Sequence, residues 1–190
     1  GAEVSIAFEF NPLSRGLLIP ANTRMFAIGI EDVPFQTLAD QYLTKAKIKR
    51  VVSEFGGRQI VQTTAEINEA GHYEAFGPAP TAGDSLRLKF ENWFDEPRGQ
   101  FQVTLFEDDL PARTPLPQRP GAFEPSAKIR WEYRSDAPGV VGEQWTELKV
   151  IDDGTLSFSR SGDVVFESPT EPAAREHKEL RAVVVEGRFE

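Results

Sequence analysis

The chain has 190 residues, with 21 Lys and Arg against 30 Asp and Glu, a formal net charge of −9 and a pI near 4.9. That balance argues against a general nucleic-acid binder, which needs a basic face to displace counterions from phosphates. The absence of cysteine excludes disulfide scaffolds, thiolate zinc sites, iron–sulfur clusters and cysteine nucleophiles together.

Hydrophobic residues at 39% and charged residues at 27% are the mixture of a globular domain with a sizeable core. No apolar run approaches the roughly 20 residues that cross a bilayer as a helix. From Gly1-Ala2 the sequence runs directly into the alternation Val4, Ile6, Phe8, Phe10, and it stops on LRAVVVEGRFE (180–190) without a polar tail. It therefore reads as a segment of a longer protein.

Period-two alternation dominates from end to end. In chain order it predicts strands at Glu3–Phe10, Arg24–Ile30, Lys47–Glu54, Gln59–Glu66, Gly71–Phe76 and Ser85–Asn92. Further strands are expected at Gln100–Glu107, Ala127–Arg134, Gln144–Val150, Asp163–Glu167 and Leu180–Glu190. Only Val33–Ala46 carries a helix-like spacing, through Leu38, Tyr42 and Leu43.

In Ser85–Asn92 the set Leu86, Leu88, Phe90 points one way and Arg87, Lys89, Glu91 the other, so one face of this sheet is wet. Phe101, Val103, Leu105 and Ile129, Trp131, Tyr133 repeat the pattern. Turn formers separate the strands, among them Gly56-Gly57, Gly77-Pro78, Pro97-Arg98-Gly99, Asp152-Asp153-Gly154 and Ser161-Gly162. The proline-rich stretch 111–125 reads as a long loop crossing between sheets. The expected fold is all-β, an antiparallel β-sandwich (jelly-roll-like) with little helix. It is divided into an N-terminal arm over 1–45, belonging to a neighbouring part of the parent protein, and a sandwich domain over 46–190.

No catalytic constellation stands out. His72 and His177, the only histidines, have no metal-ligand spacing and read as surface or structural residues. Glu107-Asp108-Asp109 and Asp152-Asp153 lack the alternating acids and glycine of a calcium loop and read as solvated turns. Acids at such edges and turns, with Glu171 and Glu176, solvate a sheet surface and discourage edge-to-edge aggregation. Phe158-Ser159-Arg160-Ser161-Gly162 lacks the first glycine of a nucleophile elbow, and Gly56-Gly57-Arg58-Gln59 has no following helix to make a phosphate loop. No catalytic, cofactor-binding or metal residue is assigned.

Aromatic residues are the rich feature: 14 Phe, 3 Tyr and 3 Trp. Trp131 and Trp145 fall within strands, where packing between sheets is favoured. Trp93 follows Asn92 at a strand end and is a candidate for stacking a ligand. Such stacking would suit a carbohydrate-binding or host-adhesion module, with a glycan as partner.

In the C-terminal half, several segments resemble a recurring signature. They are Ile129-Arg130-Trp131-Glu132-Tyr133-Arg134, Trp145-Thr146-Glu147-Leu148, VIDDGT (150–155), Leu156 to Gly162, Val164 to Pro169 and Leu180-Arg181-Ala182. Together they look like the signature of baseplate assembly proteins of the baseplate J-like family, found in contractile phage tails and phage-derived injection systems. Leu86 to Phe90 followed by Phe101 to Phe106 is similar to the paired strands that precede it. Ile19 to Arg24 with Val33 to Thr37 resembles an upstream family motif in which Asn22 stands where glycine is usual.

The resemblance implies a non-enzymatic structural protein. It would contact other baseplate or tail subunits, bind neither nucleic acid nor membrane, and need no cofactor. It would assemble in the cytoplasm before becoming part of the particle, and a cysteine-free chain suits both settings. Under the same resemblance Trp131, Tyr133 and Trp145 are anchors of neighbouring strands, Asp153 and Gly154 belong to a hairpin turn, and Gly162 permits a tight reversal.

Overall fold

The computed structural model describes residues 17–26, 34–62, 72–105, 125–136, 140–187 and 189. The expected strand Glu3–Phe10, the ends of those at Arg24–Ile30 and Gln59–Glu66, the acids Glu107 to Asp109 and nearly all of the proline-rich stretch lie outside these residues.

The protein is all-β, and the described residues form antiparallel sheets with one short helix. The strands are β1 (Leu17–Ile19), β2 (Arg24–Phe26), β3 (Pro34–Gln36), β4 (Gln41–Leu43), β5 (Ile48–Phe55), β6 (Arg58–Gln62) and β7 (Ser85–Phe90). They continue with β8 (Arg98–Val103), β9 (Ala127–Ser135), β10 (Gln144–Glu147), β11 (Val150–Asp153), β12 (Gly162–Glu167) and β13 (Glu179–Gly187); the helix α1 is Pro172–His177. A six-stranded sheet runs β10-β9-β13-β7-β5-β6 and a three-stranded sheet runs β11-β12-β8. The chain shuttles between the two: β7 lies in the first, β8 in the second, β9 and β10 in the first, β11 and β12 in the second, and β13 returns to the first.

Register explains the core. Leu88 pairs with Val51 on one side and Leu180 on the other, and Leu180 pairs with Tyr133. One row further, Ser53, Leu86, Ala182 and Trp131 lie side by side. Because side chains alternate across a strand, these rows put every apolar member on one face. Leu180, Ala182, Val184, Val164 and Phe166 are wholly buried. The three-stranded sheet covers this face, with Phe101 meeting Trp131 edge-on at 4.8 Å and Phe94 meeting Phe166 at 5.0 Å. Such edge-to-face contacts match the positive rim of one ring to the negative face of another.

Four elements differ from the sequence expectation, each for a local reason. Over Val33–Ala46 the described residues form β3 and β4 rather than a helical turn, and Leu38, a residue of the supposed helix face, is 79% exposed. Side chains tie this segment to residues 20–23 instead. Thr37 Oγ1 donates to the Pro20 carbonyl (2.6 Å) and accepts from the Thr23 N–H (3.0 Å), while the Asp40 carboxylate accepts from the Ala21 N–H (2.9 Å). These bonds offer the backbone a turn in place of a helix. Asn22 there has φ 64°, a left-handed conformation that asparagine tolerates and glycine takes freely.

The described part of Gly71–Phe76 is not a strand. The Glu74 carbonyl accepts from Ser53 Oγ (3.0 Å) and from the Gly77 N–H (3.4 Å), which closes a turn. The expected single strand Gln144–Val150 is two strands in two sheets. The corner is fixed by buried Leu148, whose N–H donates to the Trp131 carbonyl (2.8 Å).

The helix α1 was not anticipated around Glu171 and Glu176. Pro172 stands in its first turn, where a missing N–H costs nothing, and Lys178 ends it at φ 55°. Toward the N-terminus, the Tyr42 N–H donates to Gln100 Oε1 (2.8 Å), so β4 meets β8 of the three-stranded sheet.

Candidate functional site

The outer face of the six-stranded sheet carries the side chains that alternate with the core, and register arranges their charge. Arg50 lies opposite Lys89, Arg87 opposite both Val52 and Arg181, and Arg181 opposite Glu132. Opposite charges directly across a ladder attract, and like charges repel. The basic pairs Arg50/Lys89 and Arg87/Arg181 therefore have to be held by acids brought in from neighbouring positions.

Those acids are well placed. The Glu132 carboxylate is buried and accepts from Arg130 Nε (2.8 Å) and Arg181 Nε (2.7 Å). Glu143 takes a two-pronged contact from Arg87, at 2.6 and 3.3 Å, and one from Arg134 at 2.7 Å. Glu179 is buried and accepts from Lys89 Nζ (3.0 Å), with Arg134 at 3.5 Å. Partial burial raises the Glu143 carboxyl, but the hydrogen bond and charge of Arg87, joined by those of Arg134, hold it below the ordinary carboxylate value. Planar guanidinium forks suit this repeated carboxylate geometry better than ammonium groups do.

Trp145 sits in the middle of the network. The guanidinium carbons of Arg181, Arg87 and Arg134 lie 4.2, 5.1 and 5.8 Å from its ring centroid, within the range of cation–π attraction. Trp145 is thus an organiser of the outer face and not a core anchor, which corrects the sequence expectation. The reason is parity: Trp145 pairs with Arg134, whereas Thr146 pairs with core-facing Tyr133. Over the edge strand β6 and the next two strands, β5 and β7, a cleft of about 120 Å³ opens on the same face, lined by Arg50, Val52, Gln59, Arg87, Lys89 and, from β13, Glu179.

The remaining residues singled out from sequence occupy scaffold positions. Trp131 is 3% exposed and stacks on Phe158 at 5.9 Å. Tyr133 is buried beside it in the strand, and burial, then the neighbouring Glu171 carboxylate, pushes its hydroxyl up. The Asp153 carboxylate accepts from the Thr155 N–H, the Thr155 hydroxyl and the Ser157 N–H.

This organises a β11–β12 connection longer than the expected turn. Asp152 and Asp153 are still strand, and the reversal uses Gly154 to Ser161, with Leu156, Ser157 and Phe158 all at positive φ. Gly154 and Gly162 meet back to back: a Cβ on Gly162 would fall 2.5 Å from the Gly154 carbonyl. Trp93 does not offer a stacking face, because it is 5% exposed and its indole N–H donates to the Pro169 carbonyl (3.1 Å). Its polar neighbour Asn92 signalled a strand end correctly, but the ring turns inward onto Phe90 and Phe94.

A second concavity of about 520 Å³ lies where the two sheets meet α1, walled by Arg98, Tyr133, Glu147, Lys149, Glu167 and Glu171. Lys149 and Glu167 pair across it at 2.6 Å, and Arg98 donates to the Tyr42 hydroxyl (2.7 Å). His177 meets Asp136 at 2.9 Å. Among the described residues no three His, Asp or Glu side chains gather as a metal site, and no helix is long and apolar enough to cross a membrane.

Sequence reading separated Arg87 and Lys89 from the core but missed Arg50, Arg134, Arg181, Glu132, Glu143 and Glu179 as parts of one surface. Alternation in SLRLKF and IRWEYR marked some of them as outward. Only strand order and register place them together. The chain matches no protein-family model and no curated protein at a significant level.

Proposed function

We propose that the chain is a non-enzymatic structural domain of a contractile-tail or injection-system baseplate, making protein–protein contacts with other baseplate or tail subunits. The observation that supports it is where the signature-like residues lie. Trp131 and Tyr133 fill the inter-sheet core, Asp153 with Gly154 and Gly162 builds the β11–β12 connection, and Trp145 organises the arginines of the outer face. A motif spent on scaffold and on one broad charged face suits a part that is held by its neighbours rather than one that turns over a substrate. The wide outer face, rich in arginine and centred on a tryptophan, has the composition favoured at the heart of protein interfaces.

A glycan-binding module is the weaker reading. It calls for exposed, coplanar aromatic rings, whereas Trp93 and Trp131 are buried and Trp145 has Arg181 over its ring. In the baseplate reading the chain assembles in the cytoplasm and is then carried in the particle.

The test is to purify the chain with the products of the genes that flank its own. The reading expects tail tube, sheath or spike genes in that neighbourhood and a stable complex with at least one product. A coding region outside any such cluster, or no complex with any flanking tail protein, would overturn it.

A further inference from the structure

We infer that the cleft between β5, β6 and β7 is a carboxylate-binding site that docks an acidic segment of a partner subunit. The inference rests on the assembly reading above and names the chemistry of one contact.

Two observations meet at this place. First, the lining holds Arg50, Arg87 and Lys89 with Glu179, and Glu54 and Glu143 reach Arg87 from beside it, so Arg50 is the cation of the cleft left open to a carboxylate from outside. Second, register sets Arg50 directly opposite Lys89, a like-charge pair that costs folding free energy unless something negative lies between or above them. Lys89 is held by Glu179 at 3.0 Å and Arg87 by Glu54 and Glu143 at 3.2 and 2.6 Å. Arg50 has no acidic partner among the described residues, and it is exposed.

The remaining geometry suits the same occupant. Val52, 6% exposed, gives the cleft an apolar floor against which the methylenes of a Glu side chain pack. The Gln59 amide, which donates to Glu54 at 2.8 Å, stands at the rim. A volume of about 120 Å³ takes one carboxylate side chain, so a single Glu or Asp of the partner's acidic segment enters it. Complementary charge of this kind steers encounter and fixes register more than it adds affinity.

The 190-residue chain is titrated with a blocked tetraglutamate peptide, with a blocked tetralysine peptide and with inorganic phosphate, and amide shifts are followed by two-dimensional NMR. The inference expects tetraglutamate alone to shift Arg50, Val52, Arg87 and Lys89, with binding that weakens as salt rises. Arg50→Gln, an exposed change that leaves the spectrum folded, is expected to weaken tetraglutamate by roughly threefold or more, while Lys149→Gln, in the connection between β10 and β11, leaves it unchanged.

No shift at these residues, equal binding by Arg50→Gln, or binding of phosphate without tetraglutamate overturns the inference. Its failure is distinct from that of the assembly reading. A tail complex that forms unchanged with Arg50→Gln removes the acidic contact and keeps the baseplate role. Tetraglutamate binding by a chain that forms no tail complex does the reverse.

Discussion

The two faces of the six-stranded sheet are made by the same strands and obey different physics. On the inner face, Val51, Leu88, Leu180 and Tyr133 form a row whose members are interchangeable in kind; what matters is that they are apolar and fill space against Phe101 and Phe166. On the outer face, one residue away in each strand, partners are specific. Arg181 requires Glu132, Arg87 requires Glu143, and Trp145 requires the arginines around it. The inner face gives stability that any well-packed sandwich has, while the outer face spends charge and hydrogen bonds on one particular arrangement. A surface needing only to be wet would scatter lysine and glutamate; this one concentrates buried carboxylates and guanidinium forks.

The largest effect is expected from the inner face. Leu180 is wholly buried, and Leu180→Ala is expected to lower unfolding free energy by about 2–5 kcal/mol, through lost transfer energy and the cavity left behind. A loss of unfolding free energy below about 1 kcal/mol in chemical denaturation would mean that the two sheets do not pack as described.

On the outer face, Glu132→Gln keeps shape and removes the charge that Arg130 and Arg181 share. Both arginines keep access to water, so a loss of about 1–3 kcal/mol is expected, smaller than the core change and partly recovered in high salt. Equal losses with and without salt would point to packing in place of charge.

The smallest effect is a titration. Glu143 has a folded-state value below its ordinary 4.5. Its contribution is therefore complete above pH 4.5 and is lost as pH falls through the lowered folded value. Stability measured over this acid range is expected to fall less steeply in Glu143→Gln than in the parent chain, and parallel curves would remove Glu143 from the network.

Much of the inner face was legible in the sequence because alternation needs only one strand at a time. SLRLKF and IRWEYR each announce which residues face in. The all-β class followed from the same signal. The outer site was illegible because it depends on register: Arg87, Arg134 and Arg181 come from three strands that are distant in sequence and converge on Trp145 only after pairing. Trp145 itself illustrates the limit, since a tryptophan in a strand is read as core until its partner is known.

The errors elsewhere were local. The spacing of Leu38, Tyr42 and Leu43 imitates a helix face, but Thr37 and Asp40 bond the backbone of residues 20–23 and hold a turn. Six residues at Pro172–His177 are too few for helical periodicity to register, although Pro172 with Ala173-Ala174 was a usable start signal.

The central claim is that the outer face of the six-stranded sheet is an assembly surface. Hydrogen–deuterium exchange on the chain, alone and in its complex with a flanking-gene tail protein, tests it most directly. The account predicts new protection in β5, β7 and β10, centred on Arg50, Arg87 and Trp145, with β8 and β12 of the three-stranded sheet unchanged. Protection confined to the three-stranded sheet, with the outer face exchanging as in the free chain, would contradict it.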